Sequence, residues 1–440
     1  MLDRRSGAVT QAARADLLDR VGADRVLVGA AARDAIGGGE ADEPIAVVRP
    51  ADAQDVSAVL RVARARHLGV VPRSRLPANR PAALRGTVVL DCGGLDRPPA
   101  IDISRRVVTV GVAVAQDVID RAARRARLAL RATSVLDADQ PIGALIAGGE
   151  GGELGIGAGE LAVDLVSAVI VAGSGRVLTM SAAELLGHPP WAMPGLPNPA
   201  ALMVGADGRL GVLIEVSLRL HPAPFAGWAD VTLPAGRDGV FAALSVGRRA
   251  FAAGLCDSLL LDDAGDGSAP RAEARLCSLR DVDDLQTVAG LVRERFARQG
   301  CTLGALHAEP SRVRLGQEVA PPRWAPGGDG VLDVRVAWPD APKVQDVVDA
   351  LSAGAPTRRR WALGQDGVRL RLQPIAVAGR HPLLEGVEHL LDAGAVPVGA
   401  TGAVRELLRD RMPSGAKVLL NALSRVWDPD EVLVSGRGPF

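Results

Sequence analysis

The spacing of apolar residues predicts short strands alternating with helices in the first half of the chain. Residues 45–48 form an apolar strand that ends at Pro50, and residues 69–71 form the next one. Asp52 and Asp55 are placed to cap the start of a helix that lies between these two strands. That helix has apolar residues at the i, i+3, i+4 and i+7 positions of one face: Val56, Val59, Leu60 and Ala63. The pattern therefore predicts a strand–helix–strand unit.

Further apolar segments along the chain predict more strands and another helix. Residues 88–91 are predicted as a strand, 101–102 with 107–112 as a hairpin, and a helix begins after Val114. The apolar stripe of this helix consists of Val118, Ile119, Ala122, Ala123 and Ala126. A second helix is predicted near the N-terminus, over residues 11–21. These segments supply strands and the helices that cover them.

A glycine-rich stretch runs from Asp139 to Asp164 and contains eight glycines. Each glycine loses more backbone freedom on folding than any other residue, so many glycines together are costly. Such a stretch is therefore typical of a loop whose backbone must be approached closely by another group. A plain surface loop is the alternative, because a glycine loop by itself is a weak signal. The apolar run 165–172, the glycine turn 173–175 and the run 176–180 then predict a hairpin.

The pattern changes after about residue 225. Short apolar or alternating strands are predicted at 229–233, 259–261, 272–276, 332–337 and 368–372. Helices are predicted between them, at 282–298 and 344–351, and a stretch rich in proline and glycine covers 320–330. Strands separated by helices in this way favour an α+β region with an antiparallel sheet.

Composition restricts the classes of protein that fit. A chain of 440 residues with 48% hydrophobic and 23% charged residues is long enough for two or three globular domains. It has no apolar run of bilayer length and no signal-peptide pattern, and its zero net charge with dispersed arginines argues against nucleic-acid binding. The four cysteines lack the spacing of zinc or iron–sulfur sites, so we expect no metal and a cytoplasmic protein. With no tyrosine in the chain, a tyrosine acid or base is excluded.

The order of these segments, from residue 45 to the glycine turn at Gly205, Gly208 and Gly211 and on to about 220, resembles the FAD-binding domain of the vanillyl-alcohol oxidase, or PCMH, superfamily. FAD-linked 2-hydroxy-acid oxidases, including glycolate oxidase subunits, are the most similar in appearance. The resemblance implies an α+β fold with a two-subdomain FAD-binding domain at 41–224 and an α+β cap domain with an antiparallel sheet at 225–395. A helical lead-in at 1–40 and a C-terminal segment at 396–440 that returns to the FAD domain complete it.

The resemblance also implies which residues would contact a non-covalently bound FAD. They are Pro72, Arg73, Ser74, Arg75, Leu76, Asp139, Ile142, Gly143, Ala144, Gly151, Gly152, Asp164, Val169, Ile170, Gly205, Gly208 and Gly211. In relatives the pyrophosphate loop is rich in glycine, whereas residues 72–81 here contain none. Either Arg73, Arg75 and Arg80 replace the amide donors with guanidinium groups, or they are solvated loop arginines. Neither histidine nor cysteine is present there to attach a flavin covalently.

Oxidation of a 2-hydroxy acid needs a base for the hydroxyl proton and a cation for the carboxylate. The Gly-Glu-His-Gly motif of related dehydrogenases is absent from residues 398–403. Arg380 and His381, with His389 nearby, are candidates by residue type alone, and a surface turn is the alternative for the first two. His188, His221 and His307 lie beside proline or at predicted strand ends, and we assign them no role.

Two functional hypotheses follow. The first is an FAD-linked oxidoreductase acting on a small-molecule substrate such as a 2-hydroxy acid, whose electrons leave through a partner subunit. The second is a non-catalytic structural subunit on a flavin fold that has lost or weakened FAD binding. The second hypothesis arises because the glycine-free loop, Ala144, Val434 and the missing histidine motif all depart from the family pattern.

Overall fold

The computed structural model describes residues 2–37, 43–73, 84–130, 139–149, 161–183, 188, 197–234, 237–264, 269–308, 332–352, 357–363, 367–374, 386–397, 407–408 and 410–434. Within these residues the chain forms β-sheets of four, five, two and nine strands. None of the described helices is both long and apolar enough to cross a membrane.

The N-terminal elements build the first sheet. They are α1 (Leu2–Val21), β1 (Val26–Leu27), α2 (Ala30–Ile36), β2 (Ala46–Val48), α3 (Ala53–Arg66), β3 (Gly69–Arg73) and β4 (Thr87–Asp91). The strand order is β1-β2-β4-β3, with β2 and β3 parallel to β4. The predicted strand–helix–strand unit is confirmed, because Asp52 accepts hydrogen bonds from the backbone N–H groups of Gln54 and Asp55 at the start of α3. The Asp55 carboxylate instead accepts from the Ala51 amide and pairs with Arg25.

The second sheet is antiparallel. Its elements and neighbours are β5 (Ala100–Asp102), β6 (Val107–Gly111), α4 (Gln116–Arg125), β7 (Leu128–Ala129), α5 (Ile142–Gly148), α6 (Leu161–Asp164), β8 (Leu165–Val171), β9 (Val177–Ser181), β10 (Val212–Arg219) and β11 (His221–Pro222). The order is β5-β6-β10-β8-β9, and the predicted glycine-turn hairpin is confirmed as β8 and β9, with Gly175 at φ +79°. After β10 the chain leaves this sheet, and His221-Pro222 pairs with β7 in the separate two-stranded sheet.

One hydrophobic core joins the two sheets. Leu60 of α3, Val88 of β4 and Ile170 of β8 all belong to it and are fully buried. The predicted stripe of α4 is confirmed at Ile119 and Ala123, but Val118 is exposed. Adjacent helical residues point about 100° apart, so the burial of Ile119 turns Val118 towards solvent.

The third large sheet, which we call the cap sheet, lies in the second half of the chain. Its elements are β12 (Phe225–Thr232), α7 (Arg237–Ala252), β13 (Cys256–Asp263), β14 (Arg271–Ser278), α8 (Val282–Ala297), β15 (Thr302–Leu303), β16 (His307–Ala308), β17 (Leu332–Ala337), α9 (Ala341–Ser352), β18 (Thr357–Leu363), β19 (Gly367–Pro374), α10 (Val387–Asp392) and β20 (Ala395–Pro397). The strand order is β15-β12-β14-β13-β18-β19-β17-β20, with β16 also on β12, and every described pairing is antiparallel.

The cap sheet has its own core, formed between one of its faces and the helices. The predicted strands and both predicted helices are present, although α7 and β18 were missed. After Thr357, β18 has three consecutive arginines, which is why no apolar alternation marks it. Pairing with β13 on one side and β19 on the other places this polar strand inside the sheet.

The C-terminal segment lies against the first two sheets. Helix α11 (Ser414–Trp427) leads to Asp428, whose buried carboxylate accepts hydrogen bonds from the backbone N–H groups of Val432 and Leu433. The Val70 amide of β3 donates to Val432 O (2.7 Å), and the Val434 amide donates to Val70 O (2.9 Å). The C-terminal segment therefore extends the edge of the first sheet by one parallel bridge, between Val70 and Leu433.

Candidate functional site

The glycine stretch begins as a helix, not as the expected loop. Residues 142–148 form α5, and Gly149 ends it in the left-handed conformation at φ +69°. Gly143 is required for packing, because a Cβ there would lie 2.7 Å from Val112 Cβ. Its amide donates to Val112 O (2.9 Å), so this glycine lets α5 lie on the backbone that follows β6. Ile142 is fully buried and Ala144 is half-buried in the same helix.

The end of α5 meets the predicted final glycine turn. The Gly205 amide donates to Ile146 O and the Asp207 amide donates to Ala147 O, both at 2.9 Å. Gly205 is also left-handed, at φ +74°, and a Cβ on it would approach only the Cα of Gly149, at 3.8 Å. Two segments that the family resemblance assigns to FAD are therefore joined by backbone hydrogen bonds. We call Gly149, Gly205 and Gly208 the glycine cradle.

Pro72 and Ile170, two more predicted site residues, lie against the same glycine turn. Gly208 has φ +77°, and a Cβ there would lie 2.6 Å from Pro72 Cγ at the end of β3. Gly211 has φ +150°, and a Cβ there would lie 2.9 Å from Ile170 Cδ1. The structure thus brings the end of β3, α5, β8 and the glycine turn together.

The other predicted positions differ in their setting. Arg73 is half-buried at the last position of β3, beside Asp91 in register, Val169 is half-buried and Asp139 is exposed. Seven predicted site residues lie outside the described residues: Ser74, Arg75, Leu76, Gly151, Gly152, Arg380 and His381. His389 lies in α10. No group of three or more histidine, cysteine or acidic residues in the described part of the chain is placed to hold a metal.

Asp164 has a partner that sequence reasoning missed. Its Oδ1 lies 2.9 Å from Nε2 of His221, which we had assigned no role, and the Asp164 side chain is 3% exposed. Its Oδ2 is buried without a hydrogen-bond partner. Asp164 is the last residue of the glycine stretch, and His221 belongs to β11, which lies between β10 and β12 in the sequence. The only signal in the sequence was the histidine before Pro222, which does not identify a partner 57 residues away.

One face of the cap sheet carries a row of arginines. Val334, Val336, Leu370 and Trp361 point into the cap core, so the alternate residues on these strands lie on the opposite face. Those residues are Arg335 on β17, Arg369 and Arg371 on β19, and Arg358 and Arg360 on β18. Arg335 is directly opposite Arg369, and Arg371 is directly opposite Arg360. We call Arg335, Arg369, Arg371 and Arg360 the arginine row.

The electrostatics of the arginine row reflect partial burial and like charge. Burial, together with the charge of Arg369, lowers the pKa of Arg335 below its usual range. Burial lowers the pKa of Arg360, with Arg358 and Arg371 acting in the same direction and Asp262 opposing them. Asp262 is buried and also binds Arg358, whose Nε lies 2.8 Å from Oδ1. One carboxylate therefore serves two arginines at this end of the row.

The residues present fit FAD. Flavin nucleotides need close approach to backbone amides, and Gly205 leaves its backbone exposed, with only Gly149 Cα within 4 Å of an added Cβ. Asp164 Oδ2, at the end of the same stretch, is buried and has no hydrogen-bond partner among the described residues, so a donor from a bound cofactor would satisfy it. Around the glycine cradle the chain therefore offers glycines with positive φ and the unpartnered Oδ2 of Asp164. Arg73, at the end of β3, is the third such group.

Comparisons with known proteins point to the same cofactor. The sequence profile of the family described as "FAD binding domain" matches residues 44–181. A D-2-hydroxyglutarate dehydrogenase from Xanthomonas citri pathovar viticola is 29% identical over 184 residues, which are 41% of this chain and 38% of the relative. The match thus spans well under half of that relative.

Solved structures show the same fold along nearly the whole chain. A 4-ethylphenol oxidase from Gulosibacter chungangensis aligns with a TM-score of 0.75 at 14% identity, covering 98% of both chains. A p-cresol methylhydroxylase with substrate bound aligns with a TM-score of 0.74 at 16% identity, covering 98% of this chain and 96% of the other. The predicted α+β fold and the cofactor FAD are thereby confirmed. The chain contains a PCMH-type FAD-binding domain and has the fold of the vanillyl-alcohol oxidase family of flavoenzymes.

Proposed function

We propose that this protein is an FAD-linked oxidoreductase that oxidises a 2-hydroxy acid. The observation that carries the proposal is the presence, in one chain, of an FAD-binding domain and a cap sheet with a row of arginines. Guanidinium groups bind carboxylates through paired N–H donors, and a 2-hydroxy acid has such a carboxylate beside the carbon that is oxidised. The partial sequence match to a D-2-hydroxyglutarate dehydrogenase supports the same class of substrate.

The reaction removes two electrons and two protons from the substrate. Bound FAD supplies the acceptor for the hydride from the α-carbon. The chain contributes the backbone of the glycine cradle, which positions the cofactor, and the arginine row, which holds the carboxylate and fixes which carbon faces the reacting ring. The proton acceptor for the substrate hydroxyl is not a tyrosine, because the chain contains none.

We further propose that the electrons leave through a partner subunit. The four cysteines lack the spacing of an iron–sulfur motif, so the sequence offers no second redox centre of that kind. All four are free thiols, and three are buried, which fits a reducing compartment such as the cytoplasm.

The test is the visible absorption spectrum of the purified native protein, followed by anaerobic addition of 2-hydroxy acids. We expect a flavin spectrum near one equivalent and bleaching of that spectrum by at least one 2-hydroxy acid. A protein that stays colourless with added FAD contradicts the proposal and favours the non-catalytic subunit. A protein with bound flavin that no 2-hydroxy acid bleaches, in either enantiomer, contradicts the substrate class.

The pyrophosphate contact has its own test. We propose that Arg73 and Arg75 contribute guanidinium donors in place of the missing glycines, so Arg73→Glu or Arg75→Glu should weaken FAD binding at least tenfold. Arg298→Glu, at an arginine beyond the end of α8 whose side chain is 76% exposed, is the matched control and should leave affinity within twofold. Unchanged affinity in both test variants would mean that these are solvated loop arginines.

A further inference from the structure

Helix α11 (Ser414–Trp427) has apolar side chains on two opposite faces. One face packs on the first core through Leu423 and Trp427. On the other face Val418, Leu419 and Val426 are 68%, 58% and 72% exposed, and no residue of the helix is classed as buried. A surface helix usually turns its apolar side inwards and its polar side to water. The outer face of α11 is therefore an exception that needs a physical reason.

The exposed apolar residues form one continuous stripe. Val418, Ala422 and Val426 follow one another at i, i+4 and i+8, and Leu419 lies three residues before Ala422. A Cβ added to Gly415, one turn before Leu419, would meet nothing within 4 Å, so the stripe is also open at its N-terminal end. Contiguous apolar surface of this kind marks an interaction site, whereas single exposed apolar residues are common on any protein.

The stripe is self-complementary when two copies of the helix pair antiparallel. If a two-fold axis passes Ala422, residues at equal distances on either side of it face each other, so Val418 of one copy faces Val426 of the other. The small side chain of Ala422 lets the two helices approach closely at the centre. Arg425 and its copy lie on opposite sides of the axis, about 9 Å apart along the helices at a rise of 1.5 Å per residue. Like charges therefore do not meet.

The two ends of α11 carry complementary charge. The helix begins after Pro413 with no capping side chain and no acidic residue in its first turn. Beyond the other end, Glu431 is exposed, and its carboxylate forms no hydrogen bond or ion pair with the described residues. An antiparallel second copy brings this carboxylate towards the helix N-terminus, where unpaired N–H groups favour negative charge. A parallel pair would instead bring the two Glu431 carboxylates together.

We infer that the exposed face of α11 is a homodimer interface, in which two copies of this chain pair antiparallel through Val418, Leu419, Ala422 and Val426. The repetition of the stripe about one central residue is what an isologous contact requires. An anionic lipid surface is less suited, because α11 exposes a single arginine and is followed by the exposed carboxylate of Glu431. The interface depends neither on bound FAD nor on the proposed substrate.

The test is the molar mass of the native full-length protein, measured by sedimentation equilibrium over a wide range of concentration. We expect a reversible dimer with twice the 45.5 kDa of the chain. A protein that remains monomeric at every concentration overturns the inference. If such a monomer binds vesicles of phosphatidylglycerol, the face is a lipid-binding surface and the homodimer is refuted.

Single variants locate the interface. Val418→Glu and Val426→Arg each place a charge against an apolar residue of the other copy, so each should raise the dimer dissociation constant at least tenfold. Both side chains are mostly exposed, so circular dichroism of the variants should match that of wild type. Ile103→Glu, at an apolar residue that is 64% exposed in the turn between β5 and β6, is the matched control and should stay within twofold. A dimer unchanged in both α11 variants overturns the inference.

The double variant Val418→Glu with Val426→Arg tests the antiparallel arrangement. In that arrangement each new carboxylate faces a new guanidinium group of the other copy, so the double variant should recover most of the lost affinity. A parallel pair would place like charges together and stay dissociated. A double variant as weak as the single variants therefore overturns the arrangement about Ala422. A monomeric wild type whose flavin is bleached by a 2-hydroxy acid would refute the interface and leave the proposed function intact.

Discussion

At the scale of single residues, buried polar groups set the sharpest constraints. Asp164 and Asp428 are both almost fully buried, yet they are stabilised differently. Asp428 accepts two backbone hydrogen bonds from its own turn, whereas Asp164 accepts one from the side chain of His221. The first carboxylate closes a local turn, and the second joins distant parts of the chain.

His221→Ala should destabilise the protein by about 3 kcal/mol, because it leaves a buried carboxylate with neither oxygen hydrogen-bonded. Unfolding in urea, followed by circular dichroism, measures the loss. The double variant Asp164→Asn with His221→Ala should recover part of it, since a neutral amide is cheaper to bury than an unpaired carboxylate. A single variant as stable as wild type would show that water reaches Asp164.

Asp428 should make stability depend on pH. Burial raises the pKa of its carboxyl group above the usual value, and the two amide donors only partly oppose this. A raised pKa in the folded state means stability that is fully present below about pH 4, the unfolded value, and is lost as the pH rises through the folded pKa. The unfolding free energy of wild type relative to Asp428→Asn should therefore fall as the pH rises from about 4. A difference that is constant with pH would contradict this.

Gly173→Ala should destabilise the protein by roughly 1–3 kcal/mol, since an added Cβ would overlap with Asp428 Oδ1 and overpacking of this kind displaces the neighbour. Thermal unfolding measures the change. Gly290→Ala in α8 is the matched control, because a Cβ there meets nothing within 4 Å. The control should be neutral or slightly stabilising, as alanine favours a helix.

At the scale of elements, local chemistry determines where helices begin. The amides at the start of α3 and α8 are capped by Asp52 and Asp281. Each aspartate accepts hydrogen bonds from amides of the first helical turn, so its position in the sequence marks the helix boundary. Helix α5, which follows Pro141 and has no capping side chain, was not predicted, whereas α4 was predicted from its apolar stripe without a cap.

Asp52→Ala should cost about 1 kcal/mol of stability by leaving the N–H groups of Gln54 and Asp55 without their acceptor. Asp52→Asn should retain most of the stability, because the asparagine oxygen caps in the same geometry. Chemical unfolding of the three proteins side by side gives the comparison. Equal losses in both variants would show that the charge near the helix start, and not the hydrogen bond, provides the stabilisation.

At the scale of the whole molecule, two separate hydrophobic cores divide the chain. One core joins the first two sheets and includes Leu433 from the C-terminal segment, and the other lies under the cap sheet. The cofactor domain is therefore closed by residues from both ends of the sequence. A ligand that binds the part of the chain built on the first core should stabilise that part more than the cap sheet.

FAD should raise the midpoint of the thermal transition that belongs to the first core. At a free concentration 100 times the dissociation constant, binding adds about 2.7 kcal/mol to the stability of the state that binds it. Differential scanning calorimetry with and without FAD shows whether one transition moves while the transition of the cap core remains. An FAD-independent thermogram would contradict binding to the first core.

Much of the fold could be predicted because its signals are local. The apolar runs in 165–180, the Asp52 cap and the glycine turn at Gly205–Gly211 each act over a few residues, and each is present as expected. The errors have physical causes as well. Helix α5 forms despite its glycines because Gly143 packs against Val112, and β18 is a strand despite its arginines because strands pair with it on both sides.

The sequence by itself determined the flavin-type order of strands, helices and glycine turns, since these depend on backbone preferences and on apolar spacing within short windows. Only the tertiary structure decided the pairing of Asp164 with His221, the packing of Gly173 on Asp428 and the register that places Arg335 opposite Arg369. These contacts join residues far apart in the chain. Which residues meet depends on how the two hydrophobic cores pack as wholes, and no local sequence pattern determines that.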